Sequence, residues 1–184
     1  MTLLFLTGLA AAVPPQPAPI TPSVEEHILL TMGGVAFRYS SDGESVGIVD
    51  INAAPDVVIA QVMNLPPRVD EIGPLVSLTP YAVSGAEMFG AKWALGSSIY
   101  SATFHIIYDC DLSAGWCVYD LDPAKDNDLD STQGSYQVYA SDSGSRLVYR
   151  SSSQSTILPD FLMKKFARDG AIELLSGIRQ RSEG

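Results

Sequence analysis

The stretch ILPDFLMKKFARDGAIELLSGIRQR, residues 157–181, is the one run in the sequence that reads as a long helix. Pro159 fits a first turn, where a missing N–H has no intrahelical partner to lose. Asp160 suits the positive end of the helix dipole, and Arg179 and Arg181 suit the negative end. The apolar residues fall into two groups at helical spacing. Leu158, Phe161, Leu162 and Phe166 form one, and Ala171, Leu174, Leu175 and Ile178 form another, more than a quarter-turn round, with Gly170 between them. A helix wetted along one side keeps a single stripe. This helix is therefore expected to touch two surfaces, one per half.

Working outward, the chain from Leu75 to Arg150 reads as antiparallel hairpins, in which facing residues have a constant index sum and alternate residues share a face. A turn at Ser84-Gly85 sets Val76 against Trp93, Leu78 against Ala91 and Pro80 against Phe89. A turn near Gly96-Ser97 sets Trp93 against Tyr100, Ala91 against Ala102 and Phe89 against Phe104. A four-residue turn, Leu112 to Gly115, sets Tyr108 against Tyr119 and Ile106 against Leu121, with Gly115 in the left-handed position. A turn at Ser141 to Gly144 sets Tyr136 against Tyr149 and Val138 against Leu147. One face of the six strands is then apolar and aromatic. The other carries Lys92, Ser101, Thr103, His105, Asp109, Asp120, Ser135, Gln137, Arg146 and Arg150. A one-residue slip in any hairpin destroys that segregation.

Ahead of the hairpins, Val46 to Ile51 reads as a strand and Ala54-Pro55-Asp56 opens a helix carrying Val57, Val58, Val62 and Met63. Leu65-Pro66-Pro67 breaks it, and Arg68 to Ile72 forms one more short turn. At 184 residues, with 46% hydrophobic and 17% charged residues, the chain is globular. Its net charge of −10 argues against a nucleic-acid partner and allows at most transient contact with an anionic membrane. Residues 3–12 form a short apolar run ending in small residues. With the prolines up to Pro22 they read as a signal-like segment and stiff spacer, so export to a periplasm or the outside is expected, a cytoplasmic protein being the alternative. The division expected is 1–22 signal-like segment and spacer, 23–45 extension, 46–184 ligand-binding domain.

The order strand, two short helices, six antiparallel strands and a long last helix resembles the helix-grip fold of the SRPBCC superfamily. That superfamily holds START lipid-transfer domains, coenzyme-Q-binding proteins and polyketide cyclases/dehydrases. The resemblance rests on Val49-x-Ile51-x-Ala53-x-Pro55, Trp116-x-x-x-Asp120-Leu121, Gly134-x-Tyr136, Leu147-Val148-Tyr149 and Pro159. It implies an α+β fold in which a curved antiparallel sheet of about seven strands wraps the C-terminal helix and leaves an apolar cavity. Glu26 to Tyr39 lies outside that core pattern and is a candidate edge strand.

Under that resemblance the apolar face walls the cavity, and the candidate ligand-binding residues are Phe89, Trp93, Tyr100, Phe104, Tyr108, Tyr119, Tyr136, Tyr149, Phe161 and Leu162. The facing alanines, Ala91 and Ala102, leave room. Each buried phenol needs a partner for its hydroxyl, supplied by water or an amphipathic ligand, or by backbone in an ordinary core. The inward strand positions hold no His, Asp, Glu or Lys. The expected function is therefore binding or transport of a hydrophobic or amphipathic small molecule: lipid, isoprenoid, sterol or quinone. The alternative is a cyclase/dehydrase with tyrosine acids. A third reading is a protein-interaction patch of Trp116, Ile99, Val118 and Tyr139. No cofactor or metal is implied. His105 facing Asp122 reads as a surface pair, and Asp126, Asp128 and Asp130 lack the Gly and Glu of a calcium loop. Cys110 and Cys117 face each other under the four-residue turn and are a possible disulfide; a three-residue turn with a bulge would part them.

Overall fold

The computed structural model describes residues 16–41, 43–83, 88–96 and 100–184. The turns expected at Ser84-Gly85 and at Ser97, the apolar run 3–12 and Ile99 lie outside the described residues. The element order is α1 (Val24–Thr31), β1 (Val35–Tyr39), β2 (Ser45–Ile51), α2 (Pro55–Met63), α3 (Arg68–Glu71), β3 (Leu75–Ala82), β4 (Met88–Gly96), β5 (Ser101–Asp111), β6 (Trp116–Leu121), β7 (Ser131–Ser141), β8 (Gly144–Gln154) and α4 (Asp160–Glu183). The strands form one antiparallel sheet in the order β1-β2-β8-β7-β6-β5-β4-β3. The sheet is curved and unclosed around α4, as the α+β helix-grip expectation requires. The eighth strand is β1, which joins the edge beside β2.

The hairpin registers show what alternation fixes. The β5–β6 and β7–β8 pairings are as read, with Tyr108 facing Tyr119 and Tyr136 facing Tyr149. Gly115, at φ 75°, ends the four-residue turn in a conformation that a side chain disfavours. Cys110 and Cys117 consequently face each other, and a disulfide joins them. In the other two hairpins the register slips by an even number of residues. Leu78 faces Trp93, Pro80 faces Ala91, and Ala82 faces Phe89. Phe89 faces Tyr108, Trp93 faces Phe104, and Leu95 faces Ala102. Even slips keep every side chain on its expected face, but they part Ala91 from Ala102, so the facing alanines do not create the cavity. A bulge between Leu75 and Ser77 also turns Val76 outward, to 63% exposure.

The helix α4 differs from the two-stripe expectation. It begins at Asp160, with Pro159 as its N-cap, so Leu158 precedes the helix and does not set its phase. The inward residues Met163, Phe166, Ala167, Gly170, Ala171, Leu174 and Ile178 form one stripe that drifts slowly round the helix. Phe161 falls on the opposite side, 70% exposed. The second half is the anchored one. Leu174, Leu175 and Ile178 are buried, the Arg181 guanidinium pairs with Glu71 and reaches Gln61, and the Glu173 carboxylate accepts from Gly73 N at 2.9 Å.

The outer face of the sheet is not uniformly wet. A capping box starts α1: Ser23 Oγ accepts from Glu26 N, and Glu26 accepts from Ser23 N. The buried Leu30 of α1 then forms a second apolar layer with Ala36, Val46, Ile48 and Val148, joined by Ile20 and Tyr139. Trp116 is buried and Tyr139 donates its hydroxyl to Ile20 O at 3.3 Å, so the interaction patch built on them does not form.

Candidate functional site

Between the inner face of the sheet and the first half of α4 lies a cavity of about 150 Å³. Trp93, Phe104, Tyr108, Tyr119, Tyr136 and Tyr149, all expected in the wall, line it. The other four expected residues do not. Phe89 stacks behind Tyr108, with ring centroids 4.7 Å apart. Tyr100 packs on Phe166 at 4.6 Å. Phe161 is exposed, because the helix starts later than read, and Leu162 is half-buried outside the lining. Residues that the sequence reading missed complete the wall: Ile72, Leu95, Ile106, Leu129 and Leu158, with Met163, Ala167 and Gly170 from α4.

The tyrosines form a connected array. Tyr108 lies 5.8 Å from Tyr119, Tyr119 5.9 Å from Tyr136, and Tyr136 5.1 Å from Tyr149, ring centroid to centroid. Tyr119 donates to Tyr149 Oη at 3.0 Å. Its ring lies over Gly134, where an added Cβ would sit 2.4 Å from the Tyr119 hydroxyl. Burial pushes the Tyr108 phenol up to about 12, against the pull of Arg68. Burial also raises Tyr119 and Tyr136 well above the ordinary phenol value. All three hydroxyls stay protonated at neutral pH.

Arg68 is the residue that the strand-based reading overlooked. It opens α3, directly after Pro66-Pro67, and is fully buried. Its guanidinium stands 5.5 Å from the Tyr136 ring centroid and 5.7 Å from that of Trp93. It donates to Val62 O at 2.5 Å and, at the limit of hydrogen bonding, to Tyr136 Oη at 3.5 Å. The salt bridges among the described residues run elsewhere, Arg38 to Glu26, Arg146 to Asp50, Lys165 to Asp169 and Arg181 to Glu71. Arg68 Nε has no hydrogen-bond partner among the described residues, and Trp93 Nε1 makes no aligned bond. Burial opposes the charge on Arg68, but a guanidinium does not release its proton in the neutral range, and it remains a cation. A signal was present in the sequence: Ile72 lies one turn after Arg68, so an inward Ile72 carries Arg68 inward with it.

Arg68 does not itself line the cavity; Trp93 and Tyr136, whose rings its guanidinium stands over, do. The cavity also meets a vestibule of about 500 Å³. Ser151, Ser153, Met163 and Ala167 line both, and Tyr39, Ser45, Ser155 and Lys164 line the vestibule alone. The acidic loop closes part of the rim. Asp128 accepts from Thr103 N at 2.7 Å, and Asp130 accepts from Thr156 N at 2.5 Å. These carboxylates hold backbone. Asp122 accepts from Tyr81 Oη at 2.7 Å, while the His105 ring lies against Asp126 O and Asn127, so the two are not a dyad.

This arrangement of an open antiparallel sheet round a C-terminal helix also occurs in solved structures. A protein of Thermus thermophilus is similar with a TM-score of 0.65 at 19% identity, covering 76% of this chain and 96% of its own. The chain has the START-like helix-grip fold. A STAR-related lipid transfer protein from Xanthomonas axonopodis matches with a TM-score of 0.58 at 12% identity, over 82% of this chain and 99% of that one. The Zhui aromatase/cyclase from Streptomyces sp. R1128 matches with 0.53 at 15%, over 80% and 87%. No protein-family model and no curated protein sequence matches the chain. At such identities these START-like relatives speak for fold alone.

Proposed function

We propose that the protein binds a small hydrophobic molecule with a negatively charged or strongly accepting end, placing that end at Arg68 and the body against the aromatic wall. The observation that carries this is a fully buried guanidinium with no carboxylate partner among the described residues and an unused Nε. A buried, unpaired charge is costly. An anion arriving with a ligand supplies the missing partner through charge-assisted hydrogen bonds. The protonated hydroxyl of Tyr136 stands beside it as a second donor. The cavity is small, so a ligand larger than a bicyclic ring extends through Ser151 and Ser153 into the vestibule.

The same observations weigh against a cyclase or dehydrase. General acid–base work needs a group that exchanges a proton near the working pH. The tyrosines here are held above their usual range and Arg68 stays charged. Such a set binds and orients.

Calorimetric titration with 2-naphthoate and 2-methylnaphthalene, near-equal in shape and different in charge, tests the reading. Naphthoate is expected to bind about ten- to a hundred-fold tighter, as charged hydrogen bonds allow. Arg68→Met should erase that preference and raise the melting temperature of the free protein, since an apolar chain replaces an unpaired charge. Equal affinities in the wild type, or a preference that survives Arg68→Met, would count against the proposal.

A further inference from the structure

The first half of α4 has two functional sides. Its inner side lines the cavity with Met163, Phe166 and Ala167. Its outer side is a stripe of Phe161, Lys164, Lys165 and Arg168, one to two turns long, all exposed. Ile157, just ahead of the helix, is 67% exposed. Phe161 and Ile157 are large apolar groups left in water at this end of the molecule, with Tyr39 half in water nearby, and three of the chain's eleven Lys and Arg residues stand beside them. Asp160 and Asp169 flank the stripe, and Asp169 pairs with Lys165.

We infer that this stripe docks on an anionic lipid surface, with Ile157 and Phe161 entering the headgroup layer and Lys164, Lys165 and Arg168 contacting lipid phosphates. Charge complementarity selects this face. A chain of net charge −10 is repelled by an anionic bilayer over most orientations. An apolar face flanked by basic residues is the one that such a surface tolerates. A second exposed apolar face, Val24 and Ile28 of α1 with Met32 just past it, is flanked by Glu25 and by Glu26, which pairs with Arg38, and the helix itself carries no Lys or Arg. Docking through α4 also sets the vestibule at the membrane, because Lys164 and Met163 line it from the same turn. A hydrophobic molecule could then pass between bilayer and cavity past one helix, without crossing water. The inference stands apart from the identity of the cavity's ligand, since the contact is made by the outer side of the helix.

Flotation of the purified full-length chain with vesicles tests it. The chain should float with phosphatidylcholine vesicles containing phosphatidylglycerol, not with phosphatidylcholine alone, and added salt should release it. The combined change Lys164→Gln, Lys165→Gln and Arg168→Gln should weaken binding by about ten-fold or more, each basic residue near an anionic surface being worth about five-fold and Lys165 being partly neutralised by Asp169. Ile157→Ser with Phe161→Ser should also lose flotation, while Val24→Ser, Ile28→Ser and Met32→Ser together should not. Circular dichroism confirms that each variant is folded. Equal flotation with neutral vesicles, no flotation at low salt, or loss only in the α1 variant would overturn the proposal. So would a dimer seen by analytical ultracentrifugation that the α4 changes dissolve, since the stripe would then belong to a second copy.

Discussion

Arg68 and the tyrosines around it share one difficulty, that of polar groups held away from water. Guanidinium cannot shed its charge by losing a proton, so it is held by two aromatic faces, one carbonyl and a distant phenol. Tyrosine meets the same difficulty by keeping its proton. That gives a pH dependence with a definite sign. Folded-state values raised above the unfolded value near 10 mean that the native chain holds protons the unfolded chain has lost. The tyrosine contribution is fully present below about pH 10 and is lost as pH rises through the folded-state values that burial has raised. Denaturant melts across this range should show stability dropping steeply above pH 10, with tyrosinate absorbance appearing together with unfolding. Tyrosinate in excess of the other five tyrosines, appearing in a chain that stays folded near pH 10, would show that these hydroxyls are not held as described. At this scale the sequence was partly legible. Alternation put six ring residues on the correct wall, whereas Arg68, in a four-residue helix after two prolines, had too short a period to read by pattern alone.

At the scale of elements, α4 decides how the cavity opens. Its second half is tied down by Arg181, Glu71, Gln61 and Glu173, and by the close approach of Leu175 to Gly47. Its first half bears on the cavity through Met163, Phe166 and Ala167. Between the halves, Gly170 lines the cavity, and an added Cβ there meets no heavy atom within 4 Å. No contact requires glycine at that point, and glycine costs a helix about 1 kcal/mol relative to alanine. The loss is explained if the first half must bend. Gly170→Ala should stabilise the chain by about 1 kcal/mol in denaturant melts and slow naphthoate release in stopped-flow traces. A variant that is more stable yet releases at the wild-type rate would remove the hinge. Hydrophobic alternation identifies the face of each strand but not each partner. The β3–β4 and β4–β5 slips of two and four residues leave alternation intact, so hydrophobic phase alone could not detect them. Only turn chemistry distinguishes such registers, and it was decisive where Gly115 and Gly144 closed short turns. The α4 stripe was misread for a different reason: Leu158 was counted into a helix that begins two residues later.

Over the whole molecule, the sheet has two covered regions of unlike character. Its inner face holds the aromatic cavity. Its outer face carries a small apolar layer where Leu30 and Ile20 cover Val46, Ile48 and Val148, and the Arg150 side chain reaches Ala18 O. The extension is also stitched to the rest: Tyr39 donates to Lys164 O at 2.8 Å, and Arg179 to Gly33 O. The edge strand β1 thus touches the half of α4 that borders the vestibule. The fold was legible because six hairpin strands could be read with one alternation ahead of one long helix. The site was legible only as a wall, since Arg68, the charge proposed to give it chemical preference, comes from outside the strands. That charge can be observed directly in a nitrogen–proton correlation spectrum of the arginine side chains, with Arg68→Lys used to assign the Nε–H signal of Arg68. Added 2-naphthoate should shift that signal strongly downfield as its carboxylate takes the free N–H, while 2-methylnaphthalene leaves it nearly in place. A signal indifferent to a naphthoate that demonstrably binds would contradict the account at its centre.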